Sequence, residues 1–383
     1  MKSYVFIANG NKPSYSQAEN REMVKLTYFS LPYIEKAIEM NYKVFFGVNR
    51  NKPEELKSNL PINFYDSHTY RSIFDLKSNM IAYKNLMHII KKNDIEVIHC
   101  NTPVGGIIGR LCGKKGKVKK IIYTVHGFHF YKGGSIIKNL IYKTAEKMMA
   151  RMTDAIITIN KEDYLAAQKF NLRGNGKVYF VPGVGVDTRK YLNTKIDKVE
   201  YRKLLGFKKD DILCISMGDL VKRKNYTMSI KAIASINNPR LHYIICGKGP
   251  EERKLKSLAK KLGVNERIHF LGYRSDIEKL LKISDIFLFS SKQEGLPRSL
   301  MEAMSAGLPC VVSEIRGNVD LIDSKGGFLC NNLSDYISAL KILLNDVKIM
   351  EELGCYNLSK IKDYDISIVK KKVNDIYEDI LRK

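Results

Sequence analysis

From residue 286 the chain runs through an apolar stretch, Ile286 to Ser290, into Ser291-Lys292-Gln293-Glu294-Gly295-Leu296-Pro297-Arg298-Ser299-Leu300-Met301-Glu302-Ala303-Met304. Its grammar is strand, tight loop, helix. Gly295 lets backbone approach a ligand closely, and Pro297 suits a first helical turn, where its missing N–H would be unpaired anyway. The amides around Gly295 to Ser299, Leu296 among them, would then face an anion, and the helix dipole favours a phosphate or sugar-phosphate oxygen there. Glu294 in the loop and Glu302 in the helix are two carboxylates placed to hold sugar hydroxyls through charge-assisted hydrogen bonds. Taken singly, such residues are more often an acidic loop and an exposed helical glutamate. No metal is expected. The DxD string Asp363-Tyr364-Asp365 lies in the charged C-terminal region rather than in a loop after a strand, and no His, Cys and carboxylate cluster has zinc spacing.

The elements that must position these groups alternate. Tyr4 to Ala8, Lys43 to Val48, Val97 to Cys100, Lys120 to Val125, Ala155 to Asn160 and Val178 to Val181 read as strands in the first half. Ile212 to Met217, His242 to Cys246, Ile268 to Leu271, Ile286 to Ser290 and Pro309 to Ser313 do so in the second. Helix-compatible sequence or a turn follows each strand of the first half, and the second half repeats the pattern, which predicts parallel sheets covered by helices. The fold class is α/β, with two Rossmann-like domains over residues 1–190 and 191–364. A C-terminal helix, 365–383, is expected to cross back to the first. Ligand is expected in the crevice between them, at the carboxyl ends of the strands.

The chain has 383 residues, 44% of them hydrophobic and 27% charged, so it folds into sizeable cores. No apolar run is long enough to cross a bilayer, and Tyr4 to Ala8 is too short for a secretory signal. Seven scattered cysteines without CxxC spacing argue for a reducing cytoplasm. Lys and Arg outnumber Asp and Glu by 65 to 40, with 31 against 15 in residues 1–190, so the first half carries most of the excess. Such a field attracts nucleic acid, anionic lipid or phosphorylated ligands. The densest cationic cluster is Arg110, Lys114, Lys115, Lys117, Lys119 and Lys120. Near it Ile136, Ile137, Leu140, Ile141, Met148, Met149 and Met152 recur at near-helical spacing. The ordinary meaning of that stripe is a core-packing helix with a solvated Lys face. The other is an amphipathic helix on an anionic bilayer.

The pair Glu294 and Glu302, with seven residues between them, within EGLPRSLMEAMSAGLPCVVSEIRG, resembles the signature of the family 4 retaining glycosyltransferases of the GT-B fold. VHGFHF (125–130), TDAIITIN (153–160), VPGVGVD (181–187), CGKGPEERKL (246–255) and FLGYRSDI (270–277) extend the likeness over most of the chain, and the subgroup it points to builds capsular, exopolysaccharide or O-antigen units. The resemblance implies a donor nucleotide on the C-terminal domain and an acceptor on the N-terminal one. Glu294 matches the glutamate that touches donor-sugar hydroxyls, and Glu302 the one that holds the ribose diol. In GDLVKRKN (218–225), Lys224 matches the lysine that neutralises the donor diphosphate, while Asp219 stands where the family has an arginine. Either Arg223 supplies a second cation or one lysine suffices. His126 matches the histidine beneath the donor sugar, although a lone His at a strand end is more often structural. Gly218, Gly247, Leu296, Pro297, Ser299 and Tyr273 fall among the donor-binding positions, and Gly10 falls where the family often has a Gly-Gly turn.

The implied reaction is retaining transfer through a same-face, oxocarbenium-like path, since no carboxylate nucleophile is supplied for a covalent one. The expected enzyme is a glycosyltransferase without cofactor. It takes a nucleotide sugar, UDP-linked in the first instance, and a polyprenyl-diphosphate-linked glycan, and works at the cytoplasmic face of an anionic membrane without nucleic acid. Two alternatives stay open: a UDP-N-acetylglucosamine 2-epimerase of the same fold, and a basic nucleic-acid-binding protein.

Overall fold

The computed structural model describes residues 2–8, 10, 23–24, 26–50 and 52–382. They form two compact units. The first is Met1–Val184 with Val369–Lys383, and the second is Gly185–Ile368. The chain therefore passes between them after Val184, short of the expected residue 190, and again after Ile368.

The first unit runs β1 (Ser3–Ile7), α1 (Leu31–Glu39), β2 (Lys43–Val48), β3 (Ile62–Asp66), α2 (Leu76–Asn93), β4 (Ile95–Asn101), α3 (Pro103–Lys115) and β5 (Lys120–Val125). It continues with α4 (Ile136–Ala150), β6 (Ala155–Thr158), α5 (Lys161–Ala167) and β7 (Lys177–Phe180). The seven strands pair in parallel in the order β3-β2-β1-β4-β5-β6-β7. Alternation along the strands feeds two cores. Val5, Ile7 and Ile98 pack with Leu86, Val104, Ile108, Ala150 and Ala167 from α2 to α5. Tyr4, Phe6 and Val97 pack on the other face with Tyr33, Ile34 and Ala37 of α1 and with Val373 and Tyr377 of the last helix. That helix also joins a buried polar chain, in which His99 Nδ1 meets the Tyr377 hydroxyl at 2.6 Å and His99 Nε2 meets Thr124 Oγ1 at 2.7 Å.

The second unit opens with α6 (Thr188–Leu192) and α7 (Lys198–Leu204), capped by Asp187 and Asp197. It continues as β8 (Ile212–Met217), α8 (Tyr226–Ala234), β9 (Leu241–Cys246), α9 (Glu252–Lys261), β10 (Ile268–Gly272), α10 (Ile277–Ile283) and β11 (Ile286–Phe289). After these come α11 (Arg298–Ser305), β12 (Cys310–Ser313), α12 (Asn318–Leu321), β13 (Gly327–Cys330), α13 (Leu333–Asn345) and α14 (Val347–Lys360). The last helix, α15 (Ile366–Leu381), begins here and ends in the first unit. The sheet is again parallel, ordered β10-β9-β8-β11-β12-β13. In each sheet the strand order reverses once, between β1 and β4 and between β8 and β11. In open α/β sheets, the carboxyl end of that switch point is where ligands bind.

Two expectations about the first unit's surface are corrected. The apolar stripe of α4 is not core: Ile136 is 86% exposed, Ile137 72%, Leu140 67%, Ile141 60% and Met148 64%, and Ala150 alone in the helix is buried. Arg110, read as part of a surface cluster, is fully buried. Its Nε donates to the Gly106 carbonyl at 2.8 Å, one terminal nitrogen lies 2.9 Å from Glu146 of α4, and the guanidinium sits 4.0 Å from the Tyr123 ring centre. A buried ion pair thus ties α4 to α3, beside the packing of Ala150 and Tyr142 on the core. Lys114, Lys115 and Lys117 stay at the surface, and Lys119 pairs with Glu96.

Candidate active site

At the switch point of the second unit, the loop after β8 and the loop after β11 are laced together. Lys292 N donates to the Arg223 carbonyl at 2.7 Å, and Ser290 Oγ to the Asn225 carbonyl at 2.8 Å. This clasp brings Lys224 Nζ to 2.8 Å from Glu294 Oε1, with both side chains about nine-tenths buried. The same oxygen accepts from Ser291 Oγ at 2.6 Å and from Arg223 at 3.2 Å. Lys224 Nζ also lies 4.8 Å from the Phe289 ring centre. One carboxylate oxygen therefore collects two cations and a hydroxyl, a concentration of positive charge suited to an anion. Arg223 is half exposed, and its terminal nitrogen also donates to the Gln293 carbonyl at 3.3 Å.

Glycine makes the backbone approach possible. Gly218 and Gly247 follow β8 and β9 with φ of +143° and +154°, and Gly218 N donates to the Cys246 carbonyl at 2.9 Å while Gly247 N donates to Gly272 at 2.7 Å. A Cβ on Gly247 would stand 2.0 Å from the Gly218 carbonyl oxygen, so no side chain fits. Tyr273, next to Gly272, is 78% exposed. On the far side of the β11 loop, buried Arg316 donates from Nε to the Glu294 carbonyl at 3.1 Å. Gly317, at φ +82°, lets the chain pass the Gly295 carbonyl. Pro297 is the N-cap of α11 rather than part of its first turn, and its carbonyl accepts from Leu300 and Met301. An extended proline enters the helix more easily as the residue before it, because its ψ is then free to stay near 118°. The leading N–H groups of α11, Ser299 included, lack intrahelical acceptors by construction.

Glu302 lies in α11, largely buried. Arg298 Nε is 3.0 Å from its Oε1 as an ion pair, and Tyr191 of α6 lies beside the same carboxylate. Burial raises its pKa above the ordinary value, while Arg298, Tyr191 and Lys190 pull it back down. Asp365, of the DxD string, is occupied structurally: its carboxylate accepts from Thr188 Oγ1 at 2.6 Å and from Ser367 Oγ at 2.6 Å.

In the first unit, His126 follows β5, edge-on to Phe29 at 5.0 Å between ring centres. Both its ring nitrogens are buried without a hydrogen-bond partner among the described residues. Burial lowers its pKa to about 4, so the ring is neutral at physiological pH. An unfolded histidine takes a proton near 6.5. Between the two values the unfolded state binds more protons, so stability must rise with pH across that window and fall as the solution is acidified. Buried His99 and His269, lowered to about 3 and about 4, act in the same sense. The melting temperature is therefore expected to fall from pH 6.5 toward pH 4, and His126→Phe to shrink that fall. An unchanged slope in the variant would contradict the buried, neutral ring. Gly10 N donates to the Thr69 carbonyl at 3.0 Å, and its neighbour Asn9 lies outside the described residues.

Ser291, Tyr191, Arg298 and Arg316 are site residues that sequence reasoning missed. Arg298 was legible as the i−4 partner of Glu302 on a helix. Tyr191 and Arg316 are brought in only by the fold.

The profile described as Glycosyl transferases group 1 matches residues 197–357, and that described as Glycosyl transferase 4-like matches residues 21–160. EpsD of Bacillus subtilis strain 168, named as a glycosyltransferase, is 33% identical over 79% of this chain and 79% of its own. The chain belongs to the family 4 glycosyltransferases. This glycosyltransferase is also 32% identical, over 81% of each chain, to the Escherichia coli UDP-Gal:alpha-D-GlcNAc-diphosphoundecaprenol alpha-1,3-galactosyltransferase. Its two parallel-sheet units are of the GT-B type. The Anabaena Alr3699/HepE structure in complex with UDP and glucose superimposes with a TM-score of 0.76 at 16% identity, covering 99% of this chain and 100% of that one.

Proposed function

We propose that this glycosyltransferase moves a sugar from a UDP-linked donor to a glycan carried on a polyprenyl diphosphate, with retention and without a divalent ion, in cell-surface polysaccharide synthesis. The observation that carries the reading is the Lys224–Glu294 pair at the switch point of the second unit, with Arg223 beside it. Lys224 neutralises the diphosphate, and Arg223 is the second cation in place of the arginine that Asp219 displaces. Gly218 and Gly247 keep the backbone low enough for phosphate oxygens, and Gly295, Leu296, Pro297 and Ser299 form the amide-rich entry to α11. Glu302 takes the ribose diol, and the exposed ring of Tyr273 is a platform for the base. Glu294 reads donor-sugar hydroxyls. His126, with two unpartnered ring nitrogens, offers a neutral hydrogen-bonding group to the sugar, and Gly10 marks a close backbone position after β1.

In the transfer, the bond from the anomeric carbon to the diphosphate oxygen breaks. The acceptor oxygen bonds to the same face of that carbon, and its proton passes to the departing phosphate. Charge growing on the leaving group is what preorganised cations and amides stabilise most. Support for donor and acceptor comes from the Escherichia coli relative, whose name carries both a UDP sugar and a diphosphoundecaprenol glycan. Among the described residues, no helix is long and apolar enough to cross a membrane. We place the working enzyme on the cytoplasmic side of an anionic bilayer, bound through the exposed stripe of α4 and the cations around it.

Purified protein given UDP-galactose and a synthetic GlcNAc-diphospho-lipid in EDTA is expected to release UDP only with acceptor present and to form an α-linked product. Activity lost in EDTA and restored by magnesium would overturn the metal-free scheme. Epimer formation from UDP-N-acetylglucosamine without acceptor would favour the epimerase alternative.

A further inference from the structure

The loop that carries Lys224 leaves β8 through the peptide between Gly218 and Asp219, and the two polar ends of that peptide are treated differently. Its carbonyl, on Gly218, accepts from the Tyr226 hydroxyl at 2.9 Å, and Tyr226, the first residue of α8, is buried at 3% exposure. A Cβ built on Gly218 would lie 3.5 Å from that hydroxyl and 3.5 Å from Lys224 Nζ, so the turn, the tyrosine and the ammonium group meet at one spot. In a planar trans peptide the N–H points opposite to the carbonyl. With the carbonyl turned onto Tyr226, the N–H of Asp219 is therefore turned away from it. It donates to no acceptor among the described residues, whereas the next amide, Leu220 N, donates to the Lys248 carbonyl at 3.0 Å. Asp219 itself is exposed.

A glycine at φ +143° has no Cβ to restrict the peptide that follows it, so an external group must hold that peptide in one orientation. The hydroxyl does so from a fixed base, because Ser290 Oγ, just after β11, donates to the carbonyl of Asn225, the residue before Tyr226, at 2.8 Å. We propose that Tyr226 is a positioning residue for the donor diphosphate: its hydroxyl holds the Gly218 carbonyl inward, so that the Asp219 N–H, beside the Lys224 ammonium group, is presented to a phosphate oxygen. The inference rests on the diphosphate role of Lys224 given above. Tyr226 itself touches no ligand. Position 219 thereby serves an anion through its backbone although its carboxylate would repel one.

The test follows titrations of UDP and of uridine by NMR against wild type, Tyr226→Phe and Lys224→Met, and reads the preference for the diphosphate as a ratio of affinities. Tyr226→Phe keeps the ring in the core and is expected to weaken UDP about three- to tenfold, the span of one net hydrogen bond. Uridine, which carries no phosphate, should bind unchanged, so the ratio shrinks by that factor. A tyrosine that only stabilises the unit would weaken both ligands alike or neither, and a wild-type ratio overturns the proposal. Lys224→Met separates the two layers of argument. If it preserves the ratio, the diphosphate role of Lys224 has failed; if it lowers the ratio while Tyr226→Phe does not, only the positioning role has. Should Tyr226→Phe fold poorly, the amide is followed in the wild-type protein: UDP is expected to shift the Asp219 amide proton downfield and uridine to leave it in place. An Asp219 amide that answers both ligands equally overturns the proposal.

Discussion

Glu294→Ala is expected to lower kcat/KM about a hundred- to a thousandfold and the melting temperature by about 5–10 °C. The two losses have different origins. Catalytically, the substitution removes a carboxylate proposed to read the donor sugar and frees the two cations it orients, and loss of one preorganised charge contact in an active site typically costs 10²–10³ in rate. Structurally, it strands Lys224, whose side chain is about nine-tenths buried against Phe289. Breaking a buried pair from one side costs about 3–5 kcal/mol when no water reaches it, and the residual exposure here trims that to about 2–3. For a unit of this size each kcal/mol is worth about 2–4 °C. Glu294→Gln keeps an acceptor for Ser291 and Lys224 and should recover part of the melting temperature but little of the activity. Adding Lys224→Met to it should raise the melting temperature again, because the orphaned charge is gone; contacting residues do not act additively. Initial rates and thermal melts of the three proteins check this. A Glu294→Gln enzyme with wild-type turnover would remove the carboxylate from the mechanism, and a double variant less stable than Glu294→Gln would show that Lys224 was not stranded.

Why Lys224 and Glu294 meet is visible in the topology and not in their spacing. β8 and β11 are neighbours because the sheet reverses direction there, so loops far apart in sequence converge. The strands flanked on both faces by helices announce themselves as continuous apolar runs, as in Ile212–Met217 and Leu241–Cys246. The two that sequence reasoning missed, Ile62–Asp66 and Gly327–Cys330, are both edge strands. An edge is covered on fewer sides, so Asn63 and Asp66 are tolerated in one and four residues suffice for the other. Burial of charge was equally hard to read. Arg110 looked like the start of a lysine cluster, yet the small Gly106 on its own helix, Tyr123 below it and Glu146 across from it accept a guanidinium completely. The motif residues of the proposed donor site were legible through their family resemblance. Tyr191 was not, because nothing local marks a tyrosine whose neighbour sits on a helix met much later in the chain.

The helix α4 presents the sharper case, since periodicity says that a stripe exists and not which side has a neighbour. Replacing Ile137 and Leu140 with glutamate is expected to cut partitioning onto anionic vesicles about a hundredfold while leaving the melting temperature within about a degree. Full burial of one such side chain stabilises by about 1.5–3 kcal/mol, and a half-immersed helix recovers about half of that per residue. Two introduced charges also oppose the attraction of Lys132, Lys138, Lys143, Lys147 and Arg151, all exposed, each worth about 1 kcal/mol near an anionic surface. A loss of about 2.7 kcal/mol is already a hundredfold. Stability should not follow, because neither side chain packs against the unit: α4 is held by Arg110–Glu146, by Asn139 bonded to the backbone of Tyr131 and by the Ala150 end. Wild-type binding should weaken as salt rises, as screening shortens the reach of those lysines. Sedimentation with neutral and anionic vesicles reads all of this directly, and a double variant that still sediments like wild type would leave the exposed stripe without its bilayer. Activity on a short, detergent-dispersed acceptor should survive the two glutamates, whereas activity on the same glycan embedded in vesicles should fall with the partitioning, because the surface then controls encounter with the acceptor and not the chemistry at Glu294.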